Sequence, residues 1–149
     1  MPNSPFEVHV VFEVAGVRWA APVNQVREVL PWTQPLPLPG APAGVIGVVK
    51  LRGDTLPVLT MPGLETVAPT RSAPLPGTGR LLLIELGGRR LALAADAVIT
   101  VVRIIPGEGD AVPSGTDRGV TALVEVDERP TLTVDLGVML AGLASLTPA

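Results

Sequence analysis

The sequence predicts an all-β fold of short strands joined by tight turns. Apolar residues make up 47% of the 149-residue chain, yet only two Phe and two Trp are present, so the core must be aliphatic and rich in strand-forming valine. The 17 Pro and 16 Gly divide the chain into short segments. Several segments alternate apolar and polar residues with period two, which is typical of half-buried strands. A chain of this length can bury a sizeable core in one compact body.

The first two segments read as a hairpin. Residues 6–14 alternate with period two, and His9 falls on the mainly polar face with Glu7, Val11 and Glu13, where we expect it to be solvated. The residues of the apolar face are Phe6, Val8, Val10, Phe12 and Val14. A turn at residues 15–16 leads to a return strand that places Trp19 in the core. Asn24 is a capping residue type, which predicts a short helix beginning at residues 25–28.

The middle of the chain is organised by proline. Residues 31–42 carry five prolines and are predicted to be extended, with Trp32 packed against the body. A second hairpin follows, with arms at residues 45–51 and 55–59 and a turn at residues 52–54. Residues 62–79 are rich in Pro, Gly, Ser and Thr, which predicts a surface connection.

The second half begins with strands at residues 81–86 and 91–95 around a Gly87-Gly88 turn. Asp96 is a capping type before an apolar run at residues 98–105, and residues 106–117 read as a loop. A last hairpin has arms at residues 120–126 and 131–134. Asp135 can then cap a short helix that runs through Leu143.

The two halves repeat each other. Residues 12–30 align with residues 84–102 at an offset of 72, and residues 44–60 align with residues 119–135 at an offset of 75. The matched pairs include Glu13 with Glu85, Gly16 with Gly88, Arg18 with Arg90, Ala20 with Ala92, Asn24 with Asp96, Val26 with Val98 and Val29 with Val101. Each copy reads as hairpin, helical turn, linker and hairpin, which predicts two small β-barrel-like halves. Halves of this size need a shared core, and the seam between them is a natural groove for a partner.

Composition excludes several function classes. The chain has no cysteine and a single histidine, so thiolate chemistry, disulfides and His-rich metal sites are excluded, and a catalytic site is not expected. The net charge of −3 argues against a nucleic-acid or anionic-membrane surface. Neither a signal sequence nor an apolar run long enough to span a bilayer is evident, so we expect a cytoplasmic protein without cofactor or metal.

Four segments in order resemble the chemotaxis coupling-protein family, CheW. They are FEVAGVRWAAPVNQVREVL (residues 12–30), PLPLPGAPAGVIGVVKLRGDTLPVL (residues 35–59), GRRLALAADAVITVV (residues 88–102) and TLTVDLGVML (residues 131–140). The resemblance covers residues 6–143 and implies one CheW-like domain of two intertwined five-stranded SH3-like barrels. The halves would span residues 12–61 and 80–140, with residues 6–11 joining the shared core.

The resemblance also implies a function and a set of residues. Proteins of the family link chemoreceptor tips to the regulatory domain of a CheA-type histidine kinase, and they are not enzymes. The residues implied to bind partners are Val26, Glu28, Gly47, Arg52, Gly53 and, at the repeat position of Val26, Val98. Arg52 would offer fixed donors in a turn, with Glu28 pairing with it or orienting it.

One position departs from the family pattern and leaves alternatives open. Residues 57–61 read PVLTM, so Thr60 stands where the family has an acidic residue. The chain could therefore be a paralogue that serves another motility or two-component pathway. A regulatory domain of a longer kinase and a barrel that binds single-stranded nucleic acid are further alternatives, although the last lacks the stacking aromatics it would need.

Overall fold

The computed structural model describes residues 6–41, 44–61, 78–105, 107–114, 116 and 119–141. Its strands are β1 (Glu7–Val14), β2 (Val17–Pro22), β3 (Val26–Pro31), β4 (Val45–Leu51), β5 (Asp54–Leu59), β6 (Arg80–Leu86), β7 (Arg89–Ala95), β8 (Ala97–Ile104), β9 (Val120–Val126) and β10 (Arg129–Val134). A 3-10 turn at Val23–Gln25 precedes β3, and a short helix, α1 (Leu136–Met139), follows β10. The predicted all-β fold is confirmed.

The strands form two five-stranded sheets of the same design. One sheet has the order β8-β1-β2-β10-β9 and the other has the order β3-β6-β7-β5-β4. β3 leaves the hairpin that precedes it and pairs with β6, whereas β8 pairs back with β1. Each sheet therefore contains strands from both sequence repeats, as the predicted intertwining requires.

The sheets also match residue by residue at the offsets of the repeat. Ala20 pairs with Thr133 between β2 and β10, and Ala92 pairs with Val58 between β7 and β5. Both of these ladders are parallel. The β8–β1 and β3–β6 ladders each contain a register shift at equivalent positions. The internal repeat is therefore a structural pseudo-symmetry.

The predicted helix at residues 25–28 is wrong, because this segment enters β3 instead. Backbone pairing with β6 outweighs a weak local preference for helix. Asn24 lies within the 3-10 turn, which has no side-chain cap hydrogen bond. Asp96 caps no helix either, and its Oδ2 accepts a 2.8 Å hydrogen bond from the backbone nitrogen of Ala15. That bond connects the first hairpin to the start of β8.

Three hydrophobic clusters organise the described residues. The largest lies between the sheets and combines Phe12 and Trp19 of one sheet with Leu82 and Leu93 of the other. The second cluster fills the interior of the β3–β7 sheet with side chains from all five of its strands. The third fills the interior of the other sheet. Each sheet thus has a barrel-like interior of its own, and the two sheets share a core. The described ladders do not close either sheet into a complete barrel.

The expectation that His9 is solvated is wrong. His9 is only 6% exposed, and its Nδ1 lies 3.2 Å from the carbonyl oxygen of Glu7. Val11, on the same face of β1, is fully buried in the third cluster. Val10 and Phe12 on one face of β1 belong to the shared core, whereas Val11 on the other face belongs to the barrel interior, so both faces are covered. Period-two alternation identified the strand correctly, but it did not show that other residues pack against both faces of β1.

The connecting segments agree with the sequence where the structure describes them. Leu36 exchanges backbone hydrogen bonds of 2.8 and 2.9 Å with Val48, so the proline-rich segment runs extended along β4. Trp32 packs against the second cluster, as predicted. Asp135 caps α1 as predicted, its Oδ1 accepting from the backbone nitrogen of Val138 at 3.2 Å. Most of the predicted connection at residues 62–79, and the end of the predicted C-terminal helix, lie outside the described residues.

None of the helices within the described residues has the length and apolarity that crossing a membrane requires.

Candidate partner-binding site

The turn between β4 and β5 forms the centre of the candidate site. Arg52 and Gly53 have φ angles of 50° and 89°, the left-handed pair that a two-residue hairpin turn requires. Glycine adopts this conformation without steric cost, whereas a non-glycine residue such as Arg52 is uncommon there. The turn projects Arg52 from the tip of the hairpin, and its side chain is 63% exposed.

Arg52 forms a two-pronged ion pair with Glu28 on β3. Its Nη1 donates to Oε1 at 3.1 Å, and its Nη2 donates to Oε2 at 2.7 Å. β3 and β4 are the two outer strands of their sheet, so this contact requires the sheet to curl until its edges meet. The ion pair therefore bridges the gap that the backbone ladders leave open in the barrel.

The two partners hold each other in the charged state. Hydrogen bonding to Arg52, supported by the positive charges of Arg52 and Arg27, keeps the pKa of Glu28 below its ordinary value. The hydrogen bonds to Glu28, and then its negative charge, raise the pKa of Arg52. The Glu28 side chain is itself 38% exposed. The pair is thus a charged and accessible feature with two-pronged geometry, suited to contact with a protein partner.

Gly47 has a different role from the turn residues. It is buried on β4, and a Cβ placed there would run into the backbone carbonyl oxygen of Leu36 and lie 2.9 Å from its carbonyl carbon. Glycine therefore allows the proline-rich segment to approach β4 closely enough for the Leu36–Val48 hydrogen bonds. Gly47 shapes this edge of the sheet without presenting a surface itself.

The two predicted valines lie in or against the shared core. Val26 is buried, and Val98 is partly buried against the same cluster. They occupy equivalent positions, since Val26 pairs with Ile84 and Val98 pairs with Phe12. The structure thus brings Glu28, Arg52 and Gly53 together at one surface. Val26 and Gly47 are buried instead, and Val98 is partly buried against the shared core.

Sequence reasoning missed an apolar cleft beside the ion pair. We call it the edge cleft; it has a volume of about 130 Å³ and lies where β3 and β4 approach each other. Its lining residues are Leu30, Pro31, Thr33, Val49, Lys50, Leu51, Leu56, Leu81 and Ala92. Leu30 is two residues beyond Glu28, and Leu51 directly precedes Arg52. Only the curling of the sheet, which brings its outer strands β3 and β4 near each other, places these positions together, so no local pattern identified them.

A chain of charges extends the site along the same sheet. Arg27 Nη1 lies 2.8 Å from Glu85 Oε1, Arg90 Nε lies 3.7 Å from Glu85 Oε2, and Arg90 Nη1 lies 3.3 Å from Asp54 Oδ2. Opposite charges alternate throughout this network, so it is internally neutralised. Across the described ranges, no group of three or more His, Cys, Asp or Glu side chains is placed to hold a metal ion.

Comparison with known sequences identifies one family. A model of the CheW-like domain matches residues 9–143. The chemotaxis protein CheW of Bacillus subtilis is 26% identical over 144 residues, covering 90% of this chain and 86% of that protein. The chemotaxis protein CheW of Rhizobium meliloti is 29% identical over 98 residues, covering 64% of this chain but only 59% of the relative's length.

Comparison with solved structures supports the fold. The scaffolding protein TtCheW from Thermoanaerobacter tengcongensis superposes with a TM-score of 0.77 at 21% sequence identity. The match covers 93% of this chain and 90% of that structure. At this level of identity, the likeness concerns the arrangement of the strands.

Proposed function

Because the chain belongs to the CheW-like domain family of chemotaxis scaffold proteins, we propose that it couples chemoreceptor tips to a CheA-type histidine kinase. In this role it acts as a non-enzymatic adaptor in the cytoplasm, and residues 6–143 work as a single domain. Its partners are the regulatory domain of the kinase and the cytoplasmic tip of a receptor. It requires no cofactor.

The ion pair between Glu28 and Arg52 beside the edge cleft is the observation that carries this proposal. Binding hot spots commonly combine an arginine with neighbouring apolar surface from which water is excluded. Arg52 supplies the charged anchor, and Glu28 fixes its direction. Gly53 keeps the tip of the turn free of side-chain bulk, and Gly47 allows the segment around Leu36 to lie against β4, the strand that supplies Val49, Lys50 and Leu51 to the cleft. Val26 and Val98 contribute by holding β3 and β8 on the shared core.

Replacement of Arg52 by asparagine tests the proposal without disturbing the turn. Asn-Gly is the favoured sequence for a two-residue turn with positive φ, so Arg52→Asn keeps the hairpin and removes the guanidinium. We expect the Kd for the kinase regulatory domain, measured by calorimetry, to rise at least about tenfold, as for loss of a hot-spot residue. The melting temperature should change little, because the favoured Asn-Gly turn offsets the loss of an exposed ion pair.

Ala15→Asn is the matched control, because it creates the same Asn-Gly turn between β1 and β2, where Ala15 also has a positive φ of 54°. This variant should bind the kinase domain as the wild type does. If Arg52→Asn binds the kinase domain as tightly as the wild type, Arg52 does not contribute to the binding site. Failure of the wild-type protein to bind any CheA-type kinase domain or receptor tip of its own organism would refute the coupling function.

A second candidate is a scaffold in another motility or two-component pathway, and Thr60 favours it. The backbone nitrogen of Thr60 donates to Gly44 at 2.9 Å, and that of Asp135 donates to Gly119 at 2.7 Å. The two residues are therefore equivalent, and only the second half keeps the carboxylate. Thr60→Asp should strengthen binding to a chemotaxis kinase if the departure at Thr60 weakens that contact. If the wild type and Thr60→Asp bind the chemotaxis kinase with equal affinity, Thr60 is excluded as a determinant of partner choice.

A further inference from the structure

Arg18, on β2, carries a guanidinium group that has no counter-charge among the described residues. Its Nε and Nη1 are inaccessible to solvent and have no hydrogen-bond partner in the part of the chain that the structure describes. Arg18 stands opposite Glu13 in the β1–β2 ladder, but the Glu13 carboxylate lies 3.9 Å from Nη2 of Arg129 instead. Buried donors are nearly always paired in folded proteins, and an unpaired charged group is especially unfavourable. The arrangement therefore lacks an acceptor.

The pseudo-symmetric position in the other sheet shows what is missing. Arg90 is the repeat equivalent of Arg18, and it stands opposite Glu85 in the β6–β7 ladder. Its Nη1 lies 3.3 Å from Asp54, and its Nε lies 3.7 Å from Glu85. Arg90 thus has two carboxylates within reach, whereas Arg18 has no hydrogen bond to either carboxylate or carbonyl at Nε or Nη1.

The difference arises at the position equivalent to Asp54. An offset of 75 places Arg129 there, so a second arginine replaces the carboxylate that would pair with Arg18. The set Arg27, Glu85, Arg90 and Asp54 is neutral, whereas its equivalent, Ile99, Glu13, Arg18 and Arg129, carries one net positive charge. Within the described residues Arg18 forms no ion pair, and this includes the adjacent acidic turn at residues 127–128.

We propose that Arg18 and Arg129 form a carboxylate-binding site that accepts an Asp or Glu side chain of a partner protein. A guanidinium fork matches the two oxygens of a carboxylate, and two arginines beside a single glutamate leave one such fork available. The Arg129 side chain is 54% exposed and marks the entrance. The long side chain of Arg18 can turn toward the incoming group and gain the hydrogen bonds that it lacks. This site lies on the β8-β1-β2-β10-β9 sheet, apart from Glu28 and Arg52, and goes beyond the proposed coupling function.

The chemistry is tested by NMR of the arginine Nε–Hε groups in the full chain. The signal of Arg18 is assigned by its loss in Arg18→Lys, and that of Arg90 serves as the internal control. Addition of sodium acetate should shift the Arg18 signal saturably, whereas sodium chloride at the same ionic strength should not. Equal shifts of Arg18 and Arg90, or no response of Arg18 to acetate, would overturn the proposal.

The source of the carboxylate is tested with two capped tripeptides, Ala-Glu-Ala and Ala-Gln-Ala, as probes. The glutamate peptide should shift the Arg18 signal, and the isosteric glutamine peptide should not. A response to acetate without a response to the glutamate peptide would indicate a small free carboxylate, and the role of a partner side chain would be wrong.

Arg129→Asp restores the carboxylate found at Asp54 in the other half. In this variant we expect the melting temperature to increase and the acetate response of Arg18 to disappear, because an internal partner then occupies the guanidinium. A persistent acetate response in the folded variant would contradict the pairing. The titrations of the wild-type chain decide the proposal independently if the variant fails to fold.

Discussion

At the scale of single residues, the candidate site depends on an uncommon backbone conformation. Arg52 occupies the left-handed region at φ 50°, which most side chains avoid, and Gly53 beside it completes the turn. The sequence predicted both residues of the turn, because a glycine between two apolar arms is a local signal. It also suggested Glu28 as a partner of Arg52, but the two-pronged geometry depends on how the sheet curls. The left-handed conformation at Arg52 therefore supports the two-pronged ion pair with Glu28, whose geometry the sequence alone did not predict.

The acidity of Glu28 reports on this contact. Arg52→Asn removes the hydrogen bonds that lower the pKa of Glu28, so the pKa should increase toward the ordinary glutamate value. Since the folded-state pKa lies below the unfolded one, the stabilisation by this ion pair is present above the ordinary value of about 4.3 and is lost as the pH falls through the lowered folded-state pKa. Carboxyl NMR titration measures the pKa of Glu28 in each variant, and the pH dependence of the stabilisation follows from that pKa. The pKa of Glu28 should not change in Ala15→Asn, and an unchanged pKa in Arg52→Asn would show that the pair is not formed in solution.

At the scale of elements, local sequence predicted the hairpins well and β3 poorly. The arms at residues 45–51 and 120–126 agree with β4 and β9 because alternation and two-residue turns are local features. Residues 26–31 contain charged and branched residues that suit either helix or strand. The deciding contact is pairing with β6, whose residues lie 49 to 58 positions further along the chain. The edge cleft depends on the same distant pairing, so the sequence could not reveal it either. Thus long-range strand exchange, not local preference, limited the prediction.

Gly47 tests how the proline-rich segment is attached to β4. In Gly47→Ala the new methyl group meets the Leu36 backbone, which cannot move aside without breaking its two hydrogen bonds to Val48. We expect the free energy of unfolding to fall by about 1–3 kcal/mol, as for an overpacked site. Urea denaturation measures the loss, and faster amide exchange at Val48 locates it. Lys50→Ala, an exposed change on the same strand, should have little effect; similar values for the two variants would contradict the close approach.

At the scale of the whole molecule, the internal repeat predicted two similar halves but not their composition. β3 through β7 form one sheet from a contiguous stretch of chain, whereas the other sheet combines β1 and β2 with β8 to β10. The strand exchange places one outer strand of each sheet, β3 or β8, beside a hairpin of the opposite repeat. The two sheets differ in surface charge because Arg129 occupies the position equivalent to Asp54. The neutral set around Arg90 and the positive set around Arg18 show how a pseudo-symmetric adaptor can offer different contacts on each half.

The shared core predicts that both halves unfold together, although β3–β7 is contiguous in the chain. Loss of the other sheet would expose side chains that are now fully buried, namely Leu59, Leu82, Ile84, Leu91 and Leu93. Exposing each one costs about 1.5–3 kcal/mol, so the sum is comparable to the total stability of a typical domain, roughly 5–15 kcal/mol. The β3–β7 sheet should therefore not remain folded alone.

The two tryptophans provide separate probes of this coupling. Trp19 lies in the shared core, and Trp32 packs on the interior of the β3–β7 sheet. In Trp32→Phe, denaturation followed by Trp19 fluorescence should give the same midpoint as far-UV circular dichroism, and in Trp19→Phe the fluorescence of Trp32 should do the same. The comparison is made within each variant, so any loss of stability from the substitution itself cancels. A Trp32 transition at clearly higher denaturant than the circular dichroism midpoint would mean that the β3–β7 sheet survives alone, and that the shared core does not couple the two halves.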